Sequence, residues 1–285
     1  VDFSGPLSWQ AALELENFNP GYWLPVLEAS LSGQVTSEGK LTDGPVPVMQ
    51  ASWDLKGQWR SSPTVAAGRI DTSTGDWVVP ELKLVIGENR LEGNGIWGKE
   101  LQASLDLKLP DPDKIMPGLG GKAELQLAVA GTLDDPRGEL TASAAELRWQ
   151  DLVVVESLSL NADLNSGFRF NGELQSKGIT VAGQNVRSLA VKAKGTQSDH
   201  SVTIDAQRED ARVQLDFQGA AGDAWASWKG QLARGVIDVP KQEQSWALDS
   251  AAQLTFAKDG KLSVGPHCWR WQQSSVCADE QTLLP

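Results

Sequence analysis

The sequence predicts an all-β protein: a largely antiparallel, twisted sheet with one apolar face, one polar face and little helix. Two observations carry this. Apolar side chains fall on every second residue in short runs that end at Gly, Asp-Pro or Asn-Gly, and no long segment keeps a helical period. Alternation of this kind puts successive side chains on opposite faces of a strand. It leaves open whether the apolar face packs shut against another layer or stays uncovered as a trough, because both give the same pattern.

The elements follow in order. Leu7, Trp9, Ala11, Leu13 and Leu15 alternate with Ser8, Gln10, Glu14 and Glu16 as a half-buried strand, which Asn19-Pro20-Gly21 ends. The segment from Tyr22 to Leu27 reads as one helical turn or a loop crossing the end of the sheet. Further strands carry Ala51, Trp53, Leu55 and Trp59, then Leu82, Leu84 and Ile86, then Leu101, Ala103, Leu105, Leu107 and Leu109. Residues 110–121 hold three prolines. Pro donates no ladder hydrogen bond, so this is a connector with at most one helical turn and the one soft division in the chain. Alternation resumes at Leu125, Leu127 and Val129, and Asp134-Asp135-Pro136-Arg137-Gly138 has the residues of a turn. The later runs are Leu158, Leu160, Ala162 and Leu164; Phe168, Phe170 and Leu174; Leu189, Val191 and Ala193; Val202, Ile204 and Ala206; and Val213, Leu215 and Phe217. Trp246, Leu248, Leu254, Phe256, Leu262 and Val264 lead to a closing hairpin. The expected total is roughly eighteen to twenty strands, close to about 90 Å of untwisted sheet at about 4.8 Å per strand.

No linker, charge block or low-complexity tract divides the 285 residues, so residues 1–285 read as one continuous repetitive sheet. The chain starts at Val1 without Met, as expected of a piece of a longer protein. Twenty-five basic residues against thirty-seven acidic ones give a formal charge of −12, and the basic residues are scattered singly. That excludes a basic surface for nucleic acid or anionic head groups. No apolar run approaches the roughly 18 residues that span a bilayer. A transmembrane barrel built from these strands would turn charge toward lipid. The two cysteines, Cys268 and Cys277, flank a short predicted hairpin with no further thiols to complete a metal site. A disulfide formed in an oxidising compartment fits them, contributing about 2 to 3 kcal/mol through the unfolded chain.

Nothing in the chain is arranged for catalysis. His200 and His267 stand alone at strand or turn boundaries, and the pairs Asp111 with Asp113 and Asp134 with Asp135 flank prolines, where turn capping accounts for them. Nucleotide, phosphate-loop, zinc-protease and serine-nucleophile motifs are absent, so no enzyme, cofactor or metal is expected. Twelve tryptophans against one tyrosine is an unusual balance. Trp9, Trp53 and Trp59 keep the parity of their apolar neighbours and should pack on the apolar face.

The segments GTLDDPRGELTASAAELRWQDLVVVESLSLNADL (131–164), GELQSKGITVAGQNVRSLAVKAKGTQSDHSVTIDA (172–206), WKGQL (228–232), WALDSAAQLTF (246–256) and GPHCWRWQQSSVC (265–277) resemble the TamB family, within the wider AsmA-like group of bridge-like lipid transfer proteins. Residues before 120 resemble it in texture more than in wording. The resemblance implies a periplasmic, middle segment of an inner-membrane-anchored protein of Gram-negative bacteria. Its body would be an elongated U-shaped sheet, a "β-taco", with an apolar concave groove that conducts phospholipids between the membranes in outer-membrane biogenesis. Its partner would be a TamA-like outer-membrane barrel, reached through regions outside this segment. The acyl chains would lie on Leu125, Leu127, Val129, Leu158, Leu160, Val191, Val202, Ile204, Val213, Leu215, Phe217, Leu248, Leu254 and Phe256. The alternative is a scaffold that holds unfolded outer-membrane strands by β-augmentation and passes them to the barrel. A plainer alternative is a closed β protein whose apolar face is simply core.

Overall fold

The structure is a computed structural model that describes residues 7–23, 28–42, 46–150, 152–222 and 226–284, and every described regular element is a strand or a single 3₁₀ turn. No helix among the described residues is long and apolar enough to cross a membrane. The chain falls into two units, Val1–Gln150 and Asp151–Pro285.

The first unit is an antiparallel meander. Its strands are β1 (Ser8–Phe18), β2 (Ala29–Lys40), β3 (Val48–Trp59), β4 (Ser62–Asp71), β5 (Trp77–Ile86), β6 (Asn89–Trp97), β7 (Leu101–Leu109), β8 (Leu119–Gly131) and β9 (Pro136–Trp149). Each strand pairs with the next in sequence. No pairing joins β1 to β9 among the described residues, so this sheet does not close into a barrel. Two prolines sit where a ladder tolerates them: Pro136 opens β9, and Pro80 falls in the register shift between Val79 and Leu82. The connector 110–121 lies inside this unit; it holds the 3₁₀ turn Pro112–Lys114, and its last three residues already belong to β8.

The second unit begins with another meander: β10 (Val153–Asn165), β11 (Arg169–Val181), β12 (Gln184–Gly195), β13 (His200–Gln207), β14 (Arg212–Ala221) and β15 (Trp228–Val239). At β15 the sheet forks. Val236–Val239 pairs with β16 (Gln244–Leu248), while Trp228–Leu232 pairs with β17 (Ala252–Phe256). From β17 the sheet continues to β18 (Leu262–Val264) and β21 (Gln281–Leu284); from β16 it continues to β19 (His267–Trp271) and β20 (Ser274–Ala278). The Cys268–Cys277 disulfide joins directly opposed residues of β19 and β20, as the hairpin reading expects.

Five strands, β2, β4, β6, β9 and β15, interleave the runs that alternation singled out, because Ala, Gly, Ser and Thr dilute their apolar positions. Phe168 lies in a turn with φ 55° and is not part of the strand that carries Phe170. Tyr22 closes a 3₁₀ turn, Pro20–Tyr22, whose first residues are capped by Asn19 Oδ1 accepting from Gly21 N at 2.8 Å; residues 24–27 of the proposed turn or loop lie outside the described residues.

Register sorts the side chains. In the first unit Leu13, Val35, Trp53, Gly68, Leu82, Gly93, Leu105, Leu127 and Leu140 form one row, one residue from each of nine strands. The opposite face carries ion pairs such as Lys83 with Glu92 at 3.5 Å and Lys108 with Asp106 at 3.8 Å. Several indoles lie over glycines: Trp9 over Gly39, Trp53 over Gly68 and Trp228 over Gly219 of the neighbouring strand, and Trp269 of β19 over Gly235 of β15, beyond β16. An aromatic side chain thus covers backbone that glycine leaves bare.

On the polar face of the second unit Asp205 accepts from Arg212 and from Gln214 Nε2, the latter at 3.0 Å. The Arg212 hydrogen bonds, then that of Gln214, hold the Asp205 carboxyl below its usual range, and Asp205 raises Arg212 in return. A carboxyl lowered on folding contributes stability above its unfolded pKa and loses it as pH falls through the folded value. Asp205→Asn should therefore destabilise the protein by at most about 1 kcal/mol at neutral pH, since the pair is partly exposed. In urea melts the difference should vanish in strong acid. The glycine cover makes a second prediction: Gly68→Ala places a Cβ inside the Trp53 indole and should cost about 1 to 3 kcal/mol. Gly172→Ala meets nothing nearer than 3.7 Å and should be neutral or stabilising by about 0.5 kcal/mol in the same melts.

Candidate functional site

The candidate site is the apolar face of each unit. In the first, Leu125, Leu127 and Val129 of β8 stand opposite Leu107, Leu105 and Ala103 of β7 and opposite Ala142, Leu140 and Gly138 of β9. In the second, Leu160, Leu174, Val191, Ile204 and Leu215 form one row across five strands. A neighbouring row runs Ala162, Gly172, Ala193, Val202, Phe217, Leu232 and Ala252. A third runs Leu158, Ser176, Leu189, Ala206, Val213, Ile237 and Trp246. Leu254 stands between Gly230 and Val264, Phe256 between Trp228 and Leu262, and Leu248 opposite Trp269. Register thus puts these residues on one face of the ladder in each unit.

These side chains are not sealed. Thirteen of the fourteen are half-buried and Phe256 is 37% exposed. Among the described residues the nearly closed-off apolar side chains are Ala29, Ile86, Leu101 and Ala252. The accessible surface is 18238 Å², where a compact globule of 30.7 kDa would present about 12,000 Å². An apolar face buried between two layers would place many Leu and Val below a tenth exposed.

The polar groups that share this face are internally satisfied. The Trp228 indole N–H donates to His200 Nε2 at 2.6 Å, which leaves Nδ1–H to donate to the Thr196 carbonyl at 2.9 Å. His200 is 7% exposed and also packs beside the Phe170 ring at 5.8 Å, so its place is structural. Ser176 Oγ donates to Ser157 O at 2.9 Å, and His267 Nδ1 bonds the Gly265 carbonyl at 2.9 Å. No buried side-chain N or O among the described residues lacks a partner. No three His, Cys, Asp or Glu side chains converge as a metal site among them.

Sequence reasoning missed the contribution of β9 and β15. Leu140 and Ala142 alternate with Glu139, Thr141 and Ser143 but with small residues at most of the apolar positions, and Leu232 and Ile237 are separated by glycine and a register shift. The signal that finds them is register with β8 and β14.

A family model described as "TamB, N-terminal domain" matches residues 1–284. The likeness thus extends over the early residues that resembled the family only in texture. A curated relative, "Translocation and assembly module subunit TamB" of Haemophilus influenzae, is 23% identical over 278 residues, covering 95% of this chain and 21% of its own length. The chain spans about a fifth of the length of that relative. No solved structure matches. The chain, matched almost end to end by the model, belongs to the TamB N-terminal domain family.

Proposed function

We propose that the apolar face carries phospholipid acyl chains, and that this chain is a periplasmic stretch of an inner-membrane-anchored bridge serving outer-membrane biogenesis with a TamA-like barrel partner. The observation that supports this most is a floor of Leu, Val, Ile and Trp that continues in register through every strand of each meander yet stays half-exposed. A phospholipid crossing water exposes its chains at about 0.8 kcal/mol per methylene, upward of roughly 20 kcal/mol for two sixteen-carbon chains. A continuous apolar floor removes most of that barrier at each step. The head group stays in water at the border of the sheet. No group that binds or reacts is required, which agrees with a fold whose buried side-chain N and O atoms, among the described residues, all have hydrogen-bond partners. The disulfide suits an oxidising compartment such as the periplasm.

Photocrosslinking residues placed at Leu127 and Leu215 in the full-length protein, activated in cells, test this reading. Phospholipid adducts at both positions are the expected result. Polypeptide adducts alone would indicate a scaffold for outer-membrane strands, and an absence of adducts would mean that the face is closed core.

A further inference from the structure

In the first unit several side chains that are nearly closed off share one border of the apolar face. Ser62, Thr64, Ile86 and Asn89 are 5%, 4%, 5% and 2% exposed. They occupy apolar-face positions of β4, β5 and β6 where these strands meet the turns 60–61 and 87–88. The connector 110–118 is bonded to this border at Asn89. Asn89 Nδ2 donates to the Asp111 carbonyl at 2.7 Å, and the Asp111 N–H donates back to Asn89 Oδ1 at 3.0 Å. The Trp59 indole N–H of β3 reaches the Ile115 carbonyl at 3.4 Å, so the connector is tied both to Asn89 of β6 and to the side chain of Trp59. It is a defined strap: Ile115 N and Met116 N both donate to the Pro112 carbonyl at 3.0 Å, and Gly118 N donates to Asp113 Oδ1 at 2.9 Å. Pro112 itself is fully buried.

Among the described residues the opposite border carries no such strap, although Thr72, whose hydroxyl bonds Pro47 O and accepts from Met49 N, is closed off there and Leu101 is 7% exposed. Its described turns, 72–76, 98–100 and 132–135, are short, and Trp77, Trp97 and Leu133 stand beside them 38%, 63% and 52% exposed. We propose that the strap is a wall that closes its border to phospholipid, so that a lipid on this face keeps its head group at the border of Trp77, Trp97 and Leu133. The inference rests on the lipid-carrying function proposed above. A phosphate forced beneath the strap would lose water and find its nearest donors, the Asn89 amide, the Asp111 N–H and the Trp59 indole, already engaged. At the open border it keeps its water, and the two indoles suit a boundary between hydrocarbon and polar groups.

The test uses the full-length protein and two diazirine phospholipids, one labelled in the head group and one at the end of an acyl chain, with adducts mapped by mass spectrometry. The acyl probe should mark the rows of Leu105 and Leu127, and the head-group probe should mark residues 72–77, 97–100 and 132–135 several-fold more than residues 60–62, 87–89 and 110–118. Asn89→Ala, which cuts both bonds to Asp111, and the milder Trp59→Phe should each spread head-group adducts to residues 87–89. Head-group labelling that is equal at the two borders, stronger at the strap, or unchanged in both variants overturns the wall while acyl labelling leaves the carrier function standing. Absence of labelling by either probe overturns both.

Discussion

Everything in this structure depends on an apolar face that, among the described residues of each unit, has no second layer packed on it. The two-residue period of the strand collects Leu, Val and Ile on one side, and antiparallel register aligns them from strand to strand. No second layer within either meander answers them. Half-exposed rows such as Leu160, Leu174, Val191, Ile204 and Leu215 forgo part of the roughly 25 cal/mol per Å² that full burial would contribute. The stability of each sheet must then come from the ladder itself, from cross-strand contacts and from polar-face pairs such as Asp205 with Arg212. A surface held open in this way is suited to carry hydrocarbon.

The means of holding it open are visible in the large side chains. Tryptophan placed over glycine covers backbone that has no side chain of its own. Polar atoms that enter the face are matched at close range, as His200 is by Trp228 and Thr196. The strap over Asn89 shows the contrasting arrangement, in which one border is shut by reciprocal amide hydrogen bonds.

The fold class was legible because it depends on parity, and parity survives in sequence; Phe168, which parity put in a strand, lies in a turn instead. Leu127 and Leu215 sit in runs clean enough to read directly. The strands β2, β4 and β6 were not legible: they pair Gly and Ala with bulky neighbours, so their apolar positions look empty until Trp53 is seen lying over Gly68. The fork at β15 was hidden for another reason, since one strand pairing with two short partners leaves no mark in periodicity. Residues 110–118 announced a connector through their prolines, but where it folds back depends on Asn89 and Trp59, which are distant in sequence. Whether the face is open could not follow from alternation, which is the same for a trough and a sandwich.

Native mass spectrometry of the protein purified without detergent tests the central claim most directly. Bound phospholipid should be present, should be lost in Leu215→Asp, which sets a carboxylate among Ile204 and its neighbours in the apolar row, and should persist in Ser188→Asp on the polar face opposite Lys177. Bare polypeptide from the unaltered sequence, or lipid retained equally by both variants with the fold intact, would contradict it.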